Sequence, residues 1–162
     1  MALVRCVPFS KGELKINNIF FKNYILNWFK KLFLNLMAMC FKTCLLIDDN
    51  YIDNFVTRKI IEGSNFAESI VVVRSATEAI NSLRDGLVKP DVIFLDVRMP
   101  LMSGFEFLEE YDKIDIDKEN IKIFMLSSSL DPLDMRKSTD NKYITQFIHK
   151  PLTQKALEEL CP

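Results

Sequence analysis

Short runs of continuously apolar residues recur between residues 43 and 150, and segments with helical spacing separate them. The five runs are TCLLI (43–47), SIVVVR (69–74), the segment 91–96, IKIFML (121–126) and YITQFIHK (143–150). A run without alternation of apolar and polar residues is typical of a strand that is covered on both faces, as in parallel sheets. The pattern therefore predicts an α/β fold, a doubly wound parallel sheet of five strands with helices on both faces.

The segments between the runs carry signals for the starts and ends of helices. Asn50 precedes an apolar face at helical spacing and suits the N-cap position, and Gly63 or Asn65 can end that helix. Ser75, followed three residues later by Glu78, predicts a capping box for the next helix. Further helices are expected over 105–111, 132–137 and 152–160.

A basic, apolar leader, residues 1–40, precedes the acidic body, residues 41–162. The leader has a net charge of +5, which leaves −6 for the body because the whole chain carries −1. Its apolar stripe at helical spacing consists of Ile25, Trp28, Phe29, Leu32, Phe33 and Leu36. Lysines interrupt the run, so no transmembrane span is expected, and no cleavage site of small residues marks a signal peptide.

Two interpretations of the leader stay open. It is either an amphipathic helix that lies on a membrane surface or a partner, or a segment outside the native protein, with Met37 or Met39 as the true start. The second interpretation is favoured, and membrane contact is expected only if the leader belongs to the protein.

The four cysteines do not have the spacing of a metal site. Cys6, Cys40, Cys44 and Cys161 form no C-x-x-C pair, and the one histidine is distant from them in sequence. Without a secretion signal, all four are expected to be reduced thiols of a cytoplasmic protein, with Cys44 in the core.

Polar residues stand where the predicted strands end. Asp48 and Asp49 follow the first run, Asp96 ends the third, Ser127 follows the fourth, and Lys150 ends the fifth. The carboxyl ends of parallel strands share one edge of the sheet, which is where ligands bind in such folds. Three carboxylates together favour Mg²⁺, and a nearby lysine and hydroxyl can stabilise a phosphoryl group. Asp96, the central carboxylate, is the candidate nucleophile for an aspartyl phosphate.

Over residues 43–160 the sequence resembles the receiver domains of two-component response regulators. LLIDDN resembles the acidic pair of that family, and VIFLDVRMPLMSGFEFLEE resembles its phosphoacceptor segment, D-x-x-M-P-x-x-x-G. FMLSSS and FIHKPL resemble the segments that carry the Ser/Thr and the Lys-Pro pair. The resemblance implies a flavodoxin-like sheet with strand order 2-1-3-4-5.

The resemblance also implies a function for the acidic residues. Asp96 would accept a phosphoryl group from a histidine kinase or a histidine phosphotransfer protein. Asp49 and Asp96 would ligate Mg²⁺ directly, together with the backbone carbonyl of Arg98, and Asp48 would act through water. The response would be a change in binding to a downstream target protein.

Other residues would serve the phosphoryl group and the response to it. Lys150 and Ser127 would contact the phosphoryl oxygens, and Ser127 and Phe147 would act as the switch pair. Arg98 and Ser129 occupy the two positions that tune the lifetime of the phosphoryl group in this family, although the direction of their effect stays open.

The resemblance has one implication for the backbone and several for the class of protein. The Lys150–Pro151 peptide bond is expected to be cis. The chain is expected to be a single-domain regulator, since no output domain follows Pro162, and to be a signalling phosphoacceptor rather than an enzyme. Nucleic acid is not an expected partner, because the body is acidic.

Two alternatives remain. The first is a Mg²⁺-dependent phosphohydrolase with an aspartate nucleophile, although such enzymes usually have an acid where this chain has Arg98. The second is a degenerate receiver that acts as a binding module without phosphorylation.

Overall fold

Five strands and five helices alternate between Phe41 and Leu160 in a computed structural model that describes residues 39–129 and 131–161. They are β1 (Phe41–Ile47), α1 (Tyr51–Gly63), β2 (Ala67–Val73), α2 (Ala76–Arg84), β3 (Val92–Asp96), α3 (Gly104–Asp112), β4 (Lys122–Ser127), α4 (Pro132–Thr139), β5 (Ile144–His149) and α5 (Gln154–Leu160). Each predicted strand and helix of the body is present, with ends that differ by one to a few residues.

The strands form one parallel sheet in the order β2-β1-β3-β4-β5. The predicted fold class and strand order are therefore confirmed. The order reverses beside β1, so the chain leaves β1 and β3 toward opposite sides of the sheet, and a crevice opens between their carboxyl ends.

Two apolar layers cover the faces of the sheet, because successive residues of a strand point to opposite sides. Leu45 and Ile47 of β1 belong to the cluster formed with α2 and α3. Cys44 and Leu46 belong to the opposite cluster, which includes residues of α1 and α5. Burial on both faces explains why the strands carry continuous apolar runs.

The helix starts agree with the sequence signals in part. Asn50 caps α1, which ends at Gly63, and Asn65 takes a left-handed backbone conformation with φ 52°. Among the hydrogen bonds of the described residues, α2 has only one half of its predicted capping box, in which the Ser75 side chain accepts from the Glu78 N–H. The complete box is at α3, where Ser103 and Glu106 bond reciprocally.

The expectation of reduced cysteines is wrong for two of them. Cys40, just before β1, and Cys161, just after α5, form a disulfide with Cα atoms 5.6 Å apart. The two ends of the body meet beside the same apolar cluster, which no spacing pattern in the sequence reveals. Cys44 is a free thiol in the core, as expected, and Cys6 lies outside the described residues.

The predictions for the leader fall almost wholly outside the part of the chain that the structure describes. Within residues 39–129 and 131–161, no helix has the length and apolar character needed to cross a lipid bilayer.

Candidate functional site

The predicted polar residues meet at the carboxyl edge of the sheet. Asp48 and Asp49 directly follow β1, Asp96 and Ser127 are the last residues of β3 and β4, and Lys150 directly follows β5. They line one cavity of about 400 Å³. The other lining residues are Asn50, Asp53, Arg98, Ser128 and Ser129.

The Lys150 ammonium group lies among three carboxylates of this cavity. Its Nζ is 2.6 Å from Asp48 Oδ2, 2.6 Å from Asp96 Oδ1 and 3.0 Å from Asp53 Oδ2. Burial by itself lowers the pKa of Lys150, but hydrogen bonds to Asp48 and Asp96 outweigh it and raise the pKa above its ordinary value. Lys150 is therefore a fixed positive charge at neutral pH.

Asp96 is a buried carboxylate with only 5% of its surface exposed. Burial is the main cause that raises its pKa, and the neighbouring Asp48 adds to the rise. Lys150 and the Arg98 backbone N–H, which donates to Asp96 Oδ2 at 2.9 Å, act in the opposite direction. Asp96 therefore combines limited solvation with one adjacent cation, which suits a nucleophile that must approach an anionic group.

Asp48, Asp49 and Asp96 form a carboxylate cluster that could hold a cation. One oxygen from each residue lies within 4.8 Å of the others. Carboxylate oxygens are the ligands that Mg²⁺ prefers, and the open cavity leaves room for the waters that this ion retains. The donor set therefore fits Mg²⁺.

The loop between β1 and α1 holds Asp48 in place. The Asn50 backbone N–H donates to Asp48 Oδ1 at 2.8 Å, while the Asn50 side chain accepts from the N–H groups of Ile52 and Asp53. The buried amide of Asn54 donates to the Asp48 carbonyl oxygen at 2.6 Å. The residue that caps α1 thus also orients the Asp48 carboxylate.

Arg98 reaches across the cavity mouth to the loop after β4. Its Nη2 is 3.1 Å from Ser129 Oγ and 3.3 Å from Asp134 Oδ2, in the first turn of α4. Asp131, the N-cap of α4, is more distant, at 3.9 Å. The guanidinium therefore links the residues after Asp96 to the start of α4.

Comparison with known proteins decides the family. Residues 44–161 match the response regulator receiver domain family. The chain belongs to this family. An uncharacterised response regulatory protein of Vibrio cholerae is 29% identical over 71% of this chain and 45% of its own length. A protein-glutamate methylesterase/protein-glutamine glutaminase of Treponema pallidum is 36% identical over 52% of this chain and 20% of its own length. The chain thus spans less than half of the length of each of these relatives.

The fold also matches solved structures of response regulators. A two component response regulator from Cytophaga hutchinsonii superimposes with a TM-score of 0.69 and 34% identity, covering 74% of this chain and 93% of that one. This similarity supports the fold described above.

In this receiver domain, two predicted residues have surroundings that the sequence did not specify. The Ser127 hydroxyl accepts from the Ser129 N–H at 3.0 Å and does not cap α4, since Asp131 does so. Phe147 is partly buried against the cluster of α2 and α3, and it lines a second cavity with Met135 of α4. The Lys150–Pro151 peptide bond is cis.

Sequence reasoning missed two acidic residues of the receiver domain. Asp53 contacts Lys150, and Asp134 contacts Arg98. The position of Asp53 in the first turn of a helix that begins two residues after Asp49 was the available signal, because that turn lies at the same edge of the sheet.

Proposed function

We propose that this receiver domain is a phosphoryl-accepting switch of a two-component or phosphorelay system, with Asp96 as the acceptor. The observation that carries the proposal is the position of Asp96, which is buried beside Lys150 and within 4.8 Å of two further carboxylates. A carboxylate with a cation beside it and ligands for a metal around it suits phosphoryl transfer better than a structural ion pair.

The reaction would form one bond and break another. An Asp96 carboxylate oxygen attacks the phosphorus atom of a phosphorylated histidine on a kinase or phosphotransfer protein. The bond from phosphorus to the imidazole nitrogen breaks, and that nitrogen keeps the electron pair and takes up a proton. The product is a mixed anhydride on Asp96, which raises the negative charge of the pocket.

Positive charge and hydrogen-bond donors would stabilise the transferred group. Lys150, held at neutral pH as a cation, would move from the Asp96 oxygen to a phosphoryl oxygen, and the Ser127 hydroxyl would donate to another. Mg²⁺, when bound by Asp49, Asp96 and the Arg98 carbonyl, with Asp48 acting through water, would neutralise charge on the phosphoryl oxygens.

The output would be a change in protein binding. A shift of Ser127 toward the phosphoryl group would pull on the loop before α4, and Phe147, which packs beside α4, would turn inward in response. The partners would be a histidine kinase or phosphotransfer protein and a downstream target protein. The proposed domain boundary lies between the leader, residues 1–40, and the receiver domain, residues 41–162. The proposed location of the protein is the cytoplasm.

Arg98 and Ser129 would set the lifetime of the aspartyl phosphate. Their side chains contact each other at 3.1 Å, and both residues line the cavity. Water that hydrolyses the aspartyl phosphate would approach beside this pair, so the pair would influence its access.

A hydrolytic enzyme is less well supported. An aspartate-nucleophile phosphohydrolase needs a general acid near the nucleophile, whereas Arg98, two residues after Asp96, is bound to Ser129 and Asp134. The proposal is therefore a signalling protein that catalyses only its own phosphorylation and dephosphorylation.

Incubation with Mg²⁺ and acetyl phosphate, followed by intact mass measurement, tests the proposal. The wild type is expected to gain one phosphoryl group, and Asp96→Asn none. Asp91→Asn serves as a matched control at the opposite end of β3 and should still gain the group. A wild type that stays unmodified with both acetyl phosphate and a phosphorylated histidine kinase would refute the proposal.

A further inference from the structure

Lys150 would compete with a divalent cation for the carboxylate cluster. Its ammonium contacts Asp48 and Asp96, two of the three carboxylates in the cluster, each at 2.6 Å. An ammonium group and a divalent ion repel each other when they share the same carboxylate oxygens. Cation binding at the cluster therefore has to change the contacts of Lys150.

Asp53 gives the ammonium group a partner outside that cluster. Its Oδ2 is 3.0 Å from Lys150 Nζ, but the residue is not one of the three clustered carboxylates. The Asp53 backbone N–H is bonded to the Asn50 side chain, which fixes the first turn of α1. The Asp53 carboxylate thus has a defined position on the solvent side of Lys150, with about a third of its side chain exposed.

We propose that Asp53 is a positioning residue that holds the Lys150 ammonium group when a divalent cation binds at the cluster, directly to Asp96 and through water to Asp48. Lys150 then stays at the rim of the cavity, paired with one carboxylate and within reach of a group on Asp96. This inference rests on the proposed function in one respect, namely that the cation is the one that would assist phosphoryl transfer.

The proposal predicts that the effect of Asp53 on cation binding acts through Lys150. Replacement of Asp53 by Asn removes the charge that receives the displaced ammonium group. We expect Asp53→Asn to weaken Mg²⁺ binding by roughly threefold to tenfold, the range for a coupled, partly exposed ion pair. Lys150→Met should strengthen Mg²⁺ binding, because no ammonium group then competes for the cluster.

A double-mutant cycle separates this mechanism from a simple field effect. Calorimetric Mg²⁺ titrations would compare the wild type, Asp53→Asn, Lys150→Met and the double variant, all as the full chain. In the Lys150→Met background, Asp53→Asn should change the Mg²⁺ affinity by less than about twofold. In a Lys150→Arg background, which keeps the cation, most of the effect should return.

Two controls accompany the cycle. Glu62→Gln removes a charge from the same helix, at an exposed residue that pairs with Arg58 and Lys59, and should leave the Mg²⁺ affinity unchanged. Far-UV circular dichroism verifies that each variant is folded, and Lys150→Gln replaces Lys150→Met if the latter unfolds.

Each outcome has a defined meaning. An equal loss of Mg²⁺ affinity on Asp53→Asn in the presence and absence of Lys150 would mean that Asp53 acts only through its field, and would overturn the inference. No loss in the wild-type background would overturn it as well. If the cycle behaves as expected but neither acetyl phosphate nor a phosphorylated histidine kinase modifies Asp96, the proposed function fails while the role of Asp53 stands. A wild type that binds no Mg²⁺ would overturn both.

Discussion

Gly104 packs against the backbone of Asp96, the proposed acceptor. Replacement of Gly104 by alanine therefore tests how closely the site depends on this contact. Gly104 is the first residue of α3, and its N–H donates to the Val97 carbonyl oxygen at 3.0 Å. An added Cβ would lie 2.4 Å from the Asp96 carbonyl oxygen and 3.0 Å from Met125 Cε. The methionine side chain can move, whereas the Asp96 carbonyl belongs to the buried strand β3.

The size of the effect follows from that contact. Real Cβ atoms essentially never approach other atoms closer than 3.0 Å, so α3 and the Asp96 carbonyl must separate by at least 0.6 Å. Forced insertion of a methyl group into a packed interior costs about 1–3 kcal/mol, and better helix propensity returns less than about 1 kcal/mol. We therefore expect Gly104→Ala to lower the free energy of unfolding by a net amount of up to about 3 kcal/mol and to leave a folded protein.

The rate of phosphorylation should fall as well. A shift of this size at the acceptor changes the approach of Asp96 to phosphorus, and misplacement by about 1 Å can cost 10²-fold in rate. We expect the rate of phosphorylation by acetyl phosphate to fall on the order of tenfold or more.

Urea unfolding followed by circular dichroism measures the first effect, and the rate of mass gain with acetyl phosphate and Mg²⁺ measures the second. Gly63→Ala is the matched control, because nothing lies within 4 Å of its added Cβ. That variant should be as stable as the wild type or slightly more stable, and it should be phosphorylated at the wild-type rate. If Gly104→Ala matched Gly63→Ala in both measurements, the reasoning about the contact with Asp96 would be refuted.

Three further predictions concern stability. Cys40→Ser should lower the free energy of unfolding by up to about 5 kcal/mol, because Cys40 and Cys161 are 121 residues apart, and a reductant should destabilise only the wild type. Burial raises the pKa of the Cys44 thiol from 9.0 to about 12, so the unfolded chain loses this proton first. The free energy of unfolding in urea should therefore fall as the pH rises above 9.0, with a slope that Cys44→Ala makes smaller. Arg98→Ala should lower the free energy of unfolding, measured in urea, by less than about 1 kcal/mol, because the Arg98 side chain is 64% exposed. A larger loss would contradict the interpretation of the Arg98 contacts as surface ion pairs.

The sequence predicted the sheet and its functional edge because both depend on local patterns. A strand buried on both faces needs a continuous apolar run, and a polar residue at the end of such a run, like Asp96 or Ser127, must lie at the carboxyl edge. Parallel connection then brings residues as far apart as Asp48 and Lys150 together, 102 positions along the chain. The proximity of these side chains could therefore be predicted without knowledge of their individual contacts.

Contacts between side chains from different elements were decided only by the tertiary structure. The pairs of Asp53 with Lys150 and Cys40 with Cys161 join residues 97 and 121 positions apart. Each depends on the direction that a helix or loop gives to one side chain, and neither alters the hydrophobic periodicity that identifies elements in a sequence. The sequence by itself therefore determined which strands form and which residues end them. Packing of the helices on the sheet determined which charged groups and which thiols meet. The distances between these groups depend on the orientation of whole elements, which local patterns in the sequence do not specify.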